Sequence, residues 1–303
     1  MNRLWSSPYF LLVLATMFWA GNFVIGRAVH LEVPPIGLSF WRWGGALIIV
    51  IPFAWSHLRD QRVPIGESWR ILVVLGALGV GCFSTFVYIG LHSTTATNAV
   101  LIMSTVPVTI VGLSRLLLKE SITARQGVGI LTSFLGVMII IIKGHPELLF
   151  ELRLGVGDLW ILGAVFSWAL YSVLLKWRPL GLHPLGFLAS TIMVGLAMLL
   201  PLYGWERISG VRMNADIVTI ASVTYLALFP SVLAFVFWNR AVSEIGPNRA
   251  GLFIHLVPAF GTVLSMVFLG ESLYGFHLVG ITLICFGIFL TTSGRSRRVG
   301  LRW

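Results

Sequence analysis

The sequence predicts an all-α membrane protein, with ten transmembrane helices arranged as two inverted five-helix repeats around a central cavity. Three observations predict it. Of 303 residues, 57% are hydrophobic and only 11% are charged, against about 25% charged in soluble domains; mean hydropathy is +0.92. Ten apolar segments each come close to the ~20 residues that cross a hydrocarbon core as a helix. The chain also repeats itself, with an odd number of segments in each half.

The segments lie near 8–29, 36–56, 71–92, 96–118, 126–143, 155–177, 183–203, 217–239, 247–269 and 275–293. Helix is the available form, because lipid offers an open backbone no hydrogen bonds. The first apolar run is longer than a signal-peptide core and no small-x-small site follows it, so it is expected to stay attached. With the N-terminus inside, fifteen Lys and Arg fall on the inner side and five on the outer. This bias predicts cytoplasmic termini in a multi-pass protein of the cell (inner) membrane. The net charge of +10 is then a topological signal. Its basic residues are scattered over the loops, with no aromatic-interleaved patch, and no nucleic-acid partner is expected. Cys82 and Cys285 sit in apolar runs and read as small buried hydrophobes. No Cys/His ligand spacing accompanies them, so neither a metal nor a cofactor is expected.

A shift of 149 residues pairs Trp19 with Trp168, Ala20 with Ala169, Arg27 with Lys176, Pro35 with Pro184, Gly37 with Gly186 and Pro52 with Pro201. A two-residue insertion makes the shift 151. It then pairs Ala99 with Ala250, Pro107 with Pro258, Glu120 with Glu271, Gly129 with Gly280 and Gly136 with Gly287. Five spans per half force the halves, residues 1–148 and 149–303, to enter the membrane in opposite directions. The second half ends in a short basic tail. Inverted repeats point to a carrier with its site where the repeats meet.

The repeated residues carry a resemblance. Phe18-Trp19-Ala20-Gly21-Asn22-Phe23 resembles the opening motif of the EamA family, within the drug/metabolite transporter superfamily. Leu118-Lys119-Glu120 followed by Gly129 and Gly136, and Leu269-Gly270-Glu271 followed by Gly280 and Gly287, are similar to that family's glutamate and Gly-rich unit, present twice. Leu170-Tyr171 replaces Gly21-Asn22 in the second half, so the two halves are expected to differ chemically. The resemblance implies ten helices, a central cavity, a lipid bilayer around it and a small-molecule substrate. The chain resembles aromatic amino-acid exporters, which implies amino-acid export by alternating access. The oligomeric state is left open.

Individual residues refine this expectation. All eleven acidic residues lie in loops or at span ends, which disfavours carboxylate-coupled exchange of cationic drugs. Trp19, Asn22, Tyr88, Trp168, Tyr171 and Trp238 are candidates for an aromatic cavity with a few polar handles, suited to zwitterions. Ser84, Tyr88 and His92 form a stripe at four-residue spacing, and Phe235, Asn239 and Ser243 form the corresponding one. Each reads as a cavity wall or as a polar contact between helices. His255 is a candidate proton carrier or a neutral bridge. Arg42, between Trp41 and Trp43, reads either as a carboxylate anchor or, more simply, as a residue snorkelling outward beside an aromatic belt. Pro107, Pro230 and Pro258 interrupt spans and are hinge candidates. Glu120 and Glu271 are gate candidates, or helix caps as the simpler reading. Rival functions are a sugar-phosphate or nucleoside carrier, drug efflux and an intramembrane enzyme. The enzyme reading lacks any H-E-x-x-H, G-x-S-x-G or paired intramembrane aspartates.

Overall fold

The computed structural model describes residues 7–28, 33–145, 147, 155–210, 213–214, 216–269 and 272–293. Its described residues are helical, with no strand. In chain order the helices are α1 (Pro8–Ala28), α2 (Pro35–Asp60), α3 (Trp69–Ser93), α4 (Thr97–Leu117) and α5 (Ala124–Ile141). There follow α6 (Val156–Trp177), α7 (Pro184–Ile208), α8 (Ile217–Ile245), α9 (Pro247–Gly251, a 3-10 turn Leu252–His255, then Leu256–Leu269) and α10 (Gly275–Thr292). A six-residue helix, Arg62–Glu67, fills what reads as a loop in sequence. Eight of these helices, all but α1 and α9, are long and apolar enough to cross a membrane. Their outward faces carry Ile48, Phe53, Trp55, Leu131, Leu159 and Leu278. An apolar surface of that extent is what a lipid surround requires.

Local chemistry sets the helix starts. Pro35 and Pro184 occupy first-turn positions where no N–H is needed. Thr95 caps α4 by accepting from the Asn98 N–H, and Thr123 with Gln126 forms a capping box on α5. Asp216 caps α8 by accepting from the Thr219 N–H at 2.7 Å. Those backbone and hydroxyl bonds hold its carboxyl below the ordinary value.

Four helices are irregular inside. A π turn occupies Ala77–Cys82 in α3 and Ala227–Leu233 in α8, the second containing Pro230. In α4 the helix breaks at Ser104 and Thr105, just before Pro107, and both hydroxyls donate to carbonyls three residues back. In α9 the 3-10 turn precedes Pro258. All three hinge candidates therefore stand in or beside altered backbone, as the loss of a proline N–H requires.

The packing brings distant segments together. α2 lies along α7 and α5 along α10; α6 packs on α3 and α4, and α1 packs on α8 and α9. The α5–α10 approach depends on glycine. A Cβ on Gly129 would stand 2.6 Å from the Gly287 carbonyl oxygen, and one on Gly136 would stand 2.5 Å from that of Gly280. Such separations exclude any side chain. Cys82 is half-buried and Cys285 is exposed on α10, so the expectation of two buried thiols is corrected. The periodicity of α10 turns Cys285 outward with Phe286 and Phe289.

Candidate functional site

A cavity lies between α1, α2, α3, α4, α6 and α9. Trp19, Asn22, Arg42, Ser104, Trp168 and Pro258 are among the residues that line it. Its non-atom volume is about 570 Å³, part of it open to solvent, and only a small part is wide enough for a water molecule. A chamber this narrow admits little more than solvent until its walls move apart.

Trp19 and Trp168 of the lining belong to a continuous aromatic cluster that extends behind it. Trp19 meets Trp168 edge-on with centroids 5.0 Å apart, and Trp238 lies 5.2 Å from Trp19. Phe235 packs on Trp43 and Trp168, and Tyr171 stacks on Trp168 at 5.2 Å. Indole N–H groups find acceptors: Trp19 Nε1 donates to the Pro230 carbonyl at 3.1 Å, and Trp238 Nε1 donates to Ser172 Oγ at 3.2 Å. The π turn of α8 presents that Pro230 carbonyl.

The polar wall centres on Arg42. Its Nη1 donates to Asn22 Oδ1 at 3.0 Å and to Tyr88 Oη at 2.9 Å, while Nε donates to Ser231 Oγ at 2.5 Å. Among the described residues Nη2 reaches only the Pro230 carbonyl, at 3.5 Å. Tyr88 Oη donates in turn to Asn22 Oδ1 at 2.8 Å. Arg42 is 1% exposed, so the snorkelling expectation is corrected. The belt reading fits Trp41, which is exposed and donates to Tyr203 Oη, but not the fully buried Trp43. The missed signal was spacing: Leu38, Arg42, Ala46, Val50 and Ala54 recur every four residues and form the buried face of α2.

Other candidates fall elsewhere. Tyr171 Oη donates to Asn239 Oδ1 at 2.7 Å, away from the cavity lining. Ser84 accepts from Trp43 Nε1 at 2.9 Å and bonds its own helix, which makes it a contact between helices. His92 is exposed at the end of α3 and is not brought to the cavity. His255 is wholly buried between α4, α5 and α9. Its Nε2 lies 2.8 Å from the Ser104 carbonyl and its Nδ1 lies 2.7 Å from Ser133 Oγ. A carbonyl only accepts, so that geometry assigns the proton to Nε2 and the acceptor role to Nδ1. Both nitrogens are occupied, which is the bridging arrangement. Glu120 caps no helix. It accepts from Asn248 Nδ2 at 3.2 Å and pairs with Lys176 Nζ at 3.7 Å, tying the end of α4 to α6 and α9. Glu271 lies outside the described residues.

The two ends of the α2–α7 pair are latched differently. At one end Glu206 accepts from the backbone N–H of Ile36 and Gly37, at 3.1 and 2.6 Å. At the other, His57 and His183 stack with centroids 3.5 Å apart, and Gln61 Oε1 accepts from the His183 N–H at 2.9 Å. Partial burial and the neighbouring His57 lower the His183 imidazole from its ordinary value. Here a wider cleft of about 1040 Å³ opens, with Lys176 and Arg178 on its walls.

The model of the EamA-like transporter family matches residues 6–142 and again 155–293. The chain belongs to the EamA-like transporter family. It is similar to the transporter YyaM of Bacillus subtilis (strain 168), at 29% identity over 95% of this chain and 94% of that protein. A transporter of Archaeoglobus fulgidus is 30% identical over 95% of this chain and 98% of its own. A Salmonella typhimurium protein named a "probable amino-acid metabolite efflux pump" is 25% identical over 95% of this chain and 96% of its own. A solved crystal structure superposes with a TM-score of 0.77 at 18% identity, over 95% of this chain and 97% of that one, and shares the fold. The chain is thus a multi-pass membrane transporter of the EamA type, acting on a small molecule within a lipid bilayer.

Proposed function

We propose that this EamA-type transporter exports small metabolites, amino acids including aromatic ones, by alternating access. It does so through ten crossings in two inverted repeats, residues 1–148 and 149–303, with both termini in the cytoplasm and the chain in the cell (inner) membrane. The observation that carries this reading is the cavity at the meeting of the halves, where Trp19 and Trp168 face Asn22 and Arg42. Rings stack a side chain while the amide and guanidinium bond a zwitterionic head.

The symmetry of the packing supports the inverted repeat. Exchanging the halves turns α6 on α3 into α1 on α8, and α6 on α4 into α1 on α9. Repeat-mates also meet: Trp19 touches Trp168, and His255 bonds the Ser104 carbonyl. Gly129 meets Gly287 while Gly136 meets Gly280, which is the reciprocal pattern of a two-fold interface. The narrowness of the cavity suits an occluded stage of the cycle, with the breaks before Pro107 and Pro258 and the π turn at Pro230 as hinges. A sugar-phosphate carrier would want several cations in the chamber, and among the described lining residues only Arg42 is one.

The test is flux of radiolabelled phenylalanine and threonine into proteoliposomes. Saturable flux with counterflow is expected, and Trp168→Ala is expected to weaken it in protein that still elutes as folded. No flux of either amino acid sinks the amino-acid reading and leaves the transporter assignment intact.

A further inference from the structure

We propose that Arg42 is the anion anchor of the cavity, so that the transported species must present a carboxylate or another anionic group to it. The inference rests on the transport reading above and narrows its substrate class.

The argument starts from an uncompensated charge. Arg42 is a permanent cation, 1% exposed, on the buried face of α2. Its bonded neighbours are an amide oxygen, a phenol, a hydroxyl and a backbone carbonyl. All are neutral, and among the described residues no carboxylate pairs with it. Glu206, on the facing helix α7, is spent on the N–H groups of Ile36 and Gly37. These neutral acceptors, and the Trp43 ring whose centroid lies 5.1 Å from the guanidinium carbon, solvate the cation but do not cancel its charge. A buried cation with no counter-ion is costly unless something supplies one.

Geometry says where the counter-ion enters. Nε and Nη1 are consumed by Ser231, Asn22 and Tyr88 at 2.5–3.0 Å. Among the described residues Nη2 has only the Pro230 carbonyl at 3.5 Å for its two N–H groups, so donor capacity is left on a residue that lines the chamber. Asn22 lies on the same wall, and its Oδ1 is occupied by Arg42 and Tyr88. That fixes the amide orientation and leaves its NH₂ group as a further donor. A guanidinium and an amide N–H side by side are a recognition pair for an anionic oxygen. Tyr88, Ser231 and the α8 π turn act as positioning groups that hold the guanidinium plane in place.

The experiment is calorimetric titration of the purified full chain in detergent with four compounds that share a benzyl group. They are phenylalanine, phenylpyruvate (no ammonium), phenethylamine (no carboxylate) and phenylalaninamide (carboxylate neutralised). Phenylalanine and phenylpyruvate are expected to bind, with the other two at least ~10-fold weaker. Arg42→Gln is expected to weaken the carboxylates by about 10- to 100-fold, as loss of a charge-assisted bond implies. Arg42→Lys is expected to fall in between, because an ammonium cannot offer the planar fork. Equal binding of phenethylamine and phenylalanine by the unaltered protein overturns the proposal and needs no variant to be folded. So does full carboxylate affinity in folded Arg42→Gln. If all four compounds fail, the amino-acid reading is lost, and titration with pyruvate, inorganic phosphate and glucose 6-phosphate decides the anchor separately. An Arg42-dependent signal from any of these keeps the anchor and names its anion class; silence from all three overturns it.

Discussion

The two halves of the molecule make the same hydrogen bond with the partners exchanged. In the first half Tyr88 of α3 donates to Asn22 of α1; in the second Tyr171 of α6 donates to Asn239 of α8. What surrounds the two bonds differs. Beside the first stands Arg42, and the α8 π turn turns Pro230 and Ser231 oxygens toward it. At the position equivalent to Arg42 stands Thr191, whose hydroxyl bonds carbonyls of its own helix. The α3 π turn is glycine-rich instead, and a Cβ on Gly79 would lie 2.7 Å from the Tyr171 ring. The α8 turn therefore presents its oxygens to a buried cation, while the α3 turn packs closely and offers the Leu78 carbonyl to the Ser167 hydroxyl at 2.8 Å. A duplicated scaffold has kept its geometry while its polar chemistry has moved to one side of the chamber.

The comparison breaks hardest under Thr191→Arg. The cation would arrive where no acceptor set replaces Ser231 and Pro230. A loss of about 3–5 kcal/mol is expected from an uncompensated buried charge, read as collapse of the folded fraction in detergent size-exclusion chromatography. A well-folded Thr191→Arg protein would show that the halves are interchangeable after all.

Paired tyrosine variants sharpen it. Tyr88→Phe removes an acceptor from a charged donor and is expected to cost about 1.5–3 kcal/mol; Tyr171→Phe removes a neutral bond worth about 0.5–1.5 kcal/mol. Thermal melts of the two variants in one detergent give the difference, and equal shifts count against a special role for the first pair.

Smaller still is Glu206→Gln. The carboxylate sits at the N-terminus of α2, bonded to two backbone N–H groups, and neutralising it should cost about 1 kcal/mol. The melt checks this, and the cost should shrink little with salt because Glu206 is 9% exposed.

The weakest expected effect is at the opposite latch. The His183 imidazole is lowered from its ordinary 6.5, so the unfolded chain binds more protons and stability rises with pH. The contribution is complete above 6.5 and is lost as pH falls from there toward the lower folded value. His183→Gln should flatten that part of the pH–melting profile; an unchanged profile removes the latch from the account.

The fold was readable because lipid imposes length and apolarity on every crossing. The expected 8–29 and 275–293 became Pro8–Ala28 and Gly275–Thr292. The ends of α2 and α8 were harder. Their helices run on to Asp60 and Ile245, since a helix continues through polar residues once it has left the apolar zone. At the site, Trp19, Asn22 and Trp168 were legible from their mid-span positions. Arg42 was read from its distance to the helix end, and its four-residue spacing with Leu38 and Ala46 was the stronger signal. His92 shared a stripe with Tyr88 but lies one residue from the end of α3, where the chain is exposed. The π turn of α3 contains no proline and leaves no mark in sequence.

Asn22 and Asn239 give the most direct measurement, because each accepts from a tyrosine and only Asn22 lines the chamber. Saturable phenylalanine flux into proteoliposomes should fall at least ~10-fold for Asn22→Ala and stay within ~2-fold for Asn239→Ala at matched protein insertion. Equal loss in both, or a larger loss for Asn239→Ala, would contradict the assignment of polar substrate contact to the first half.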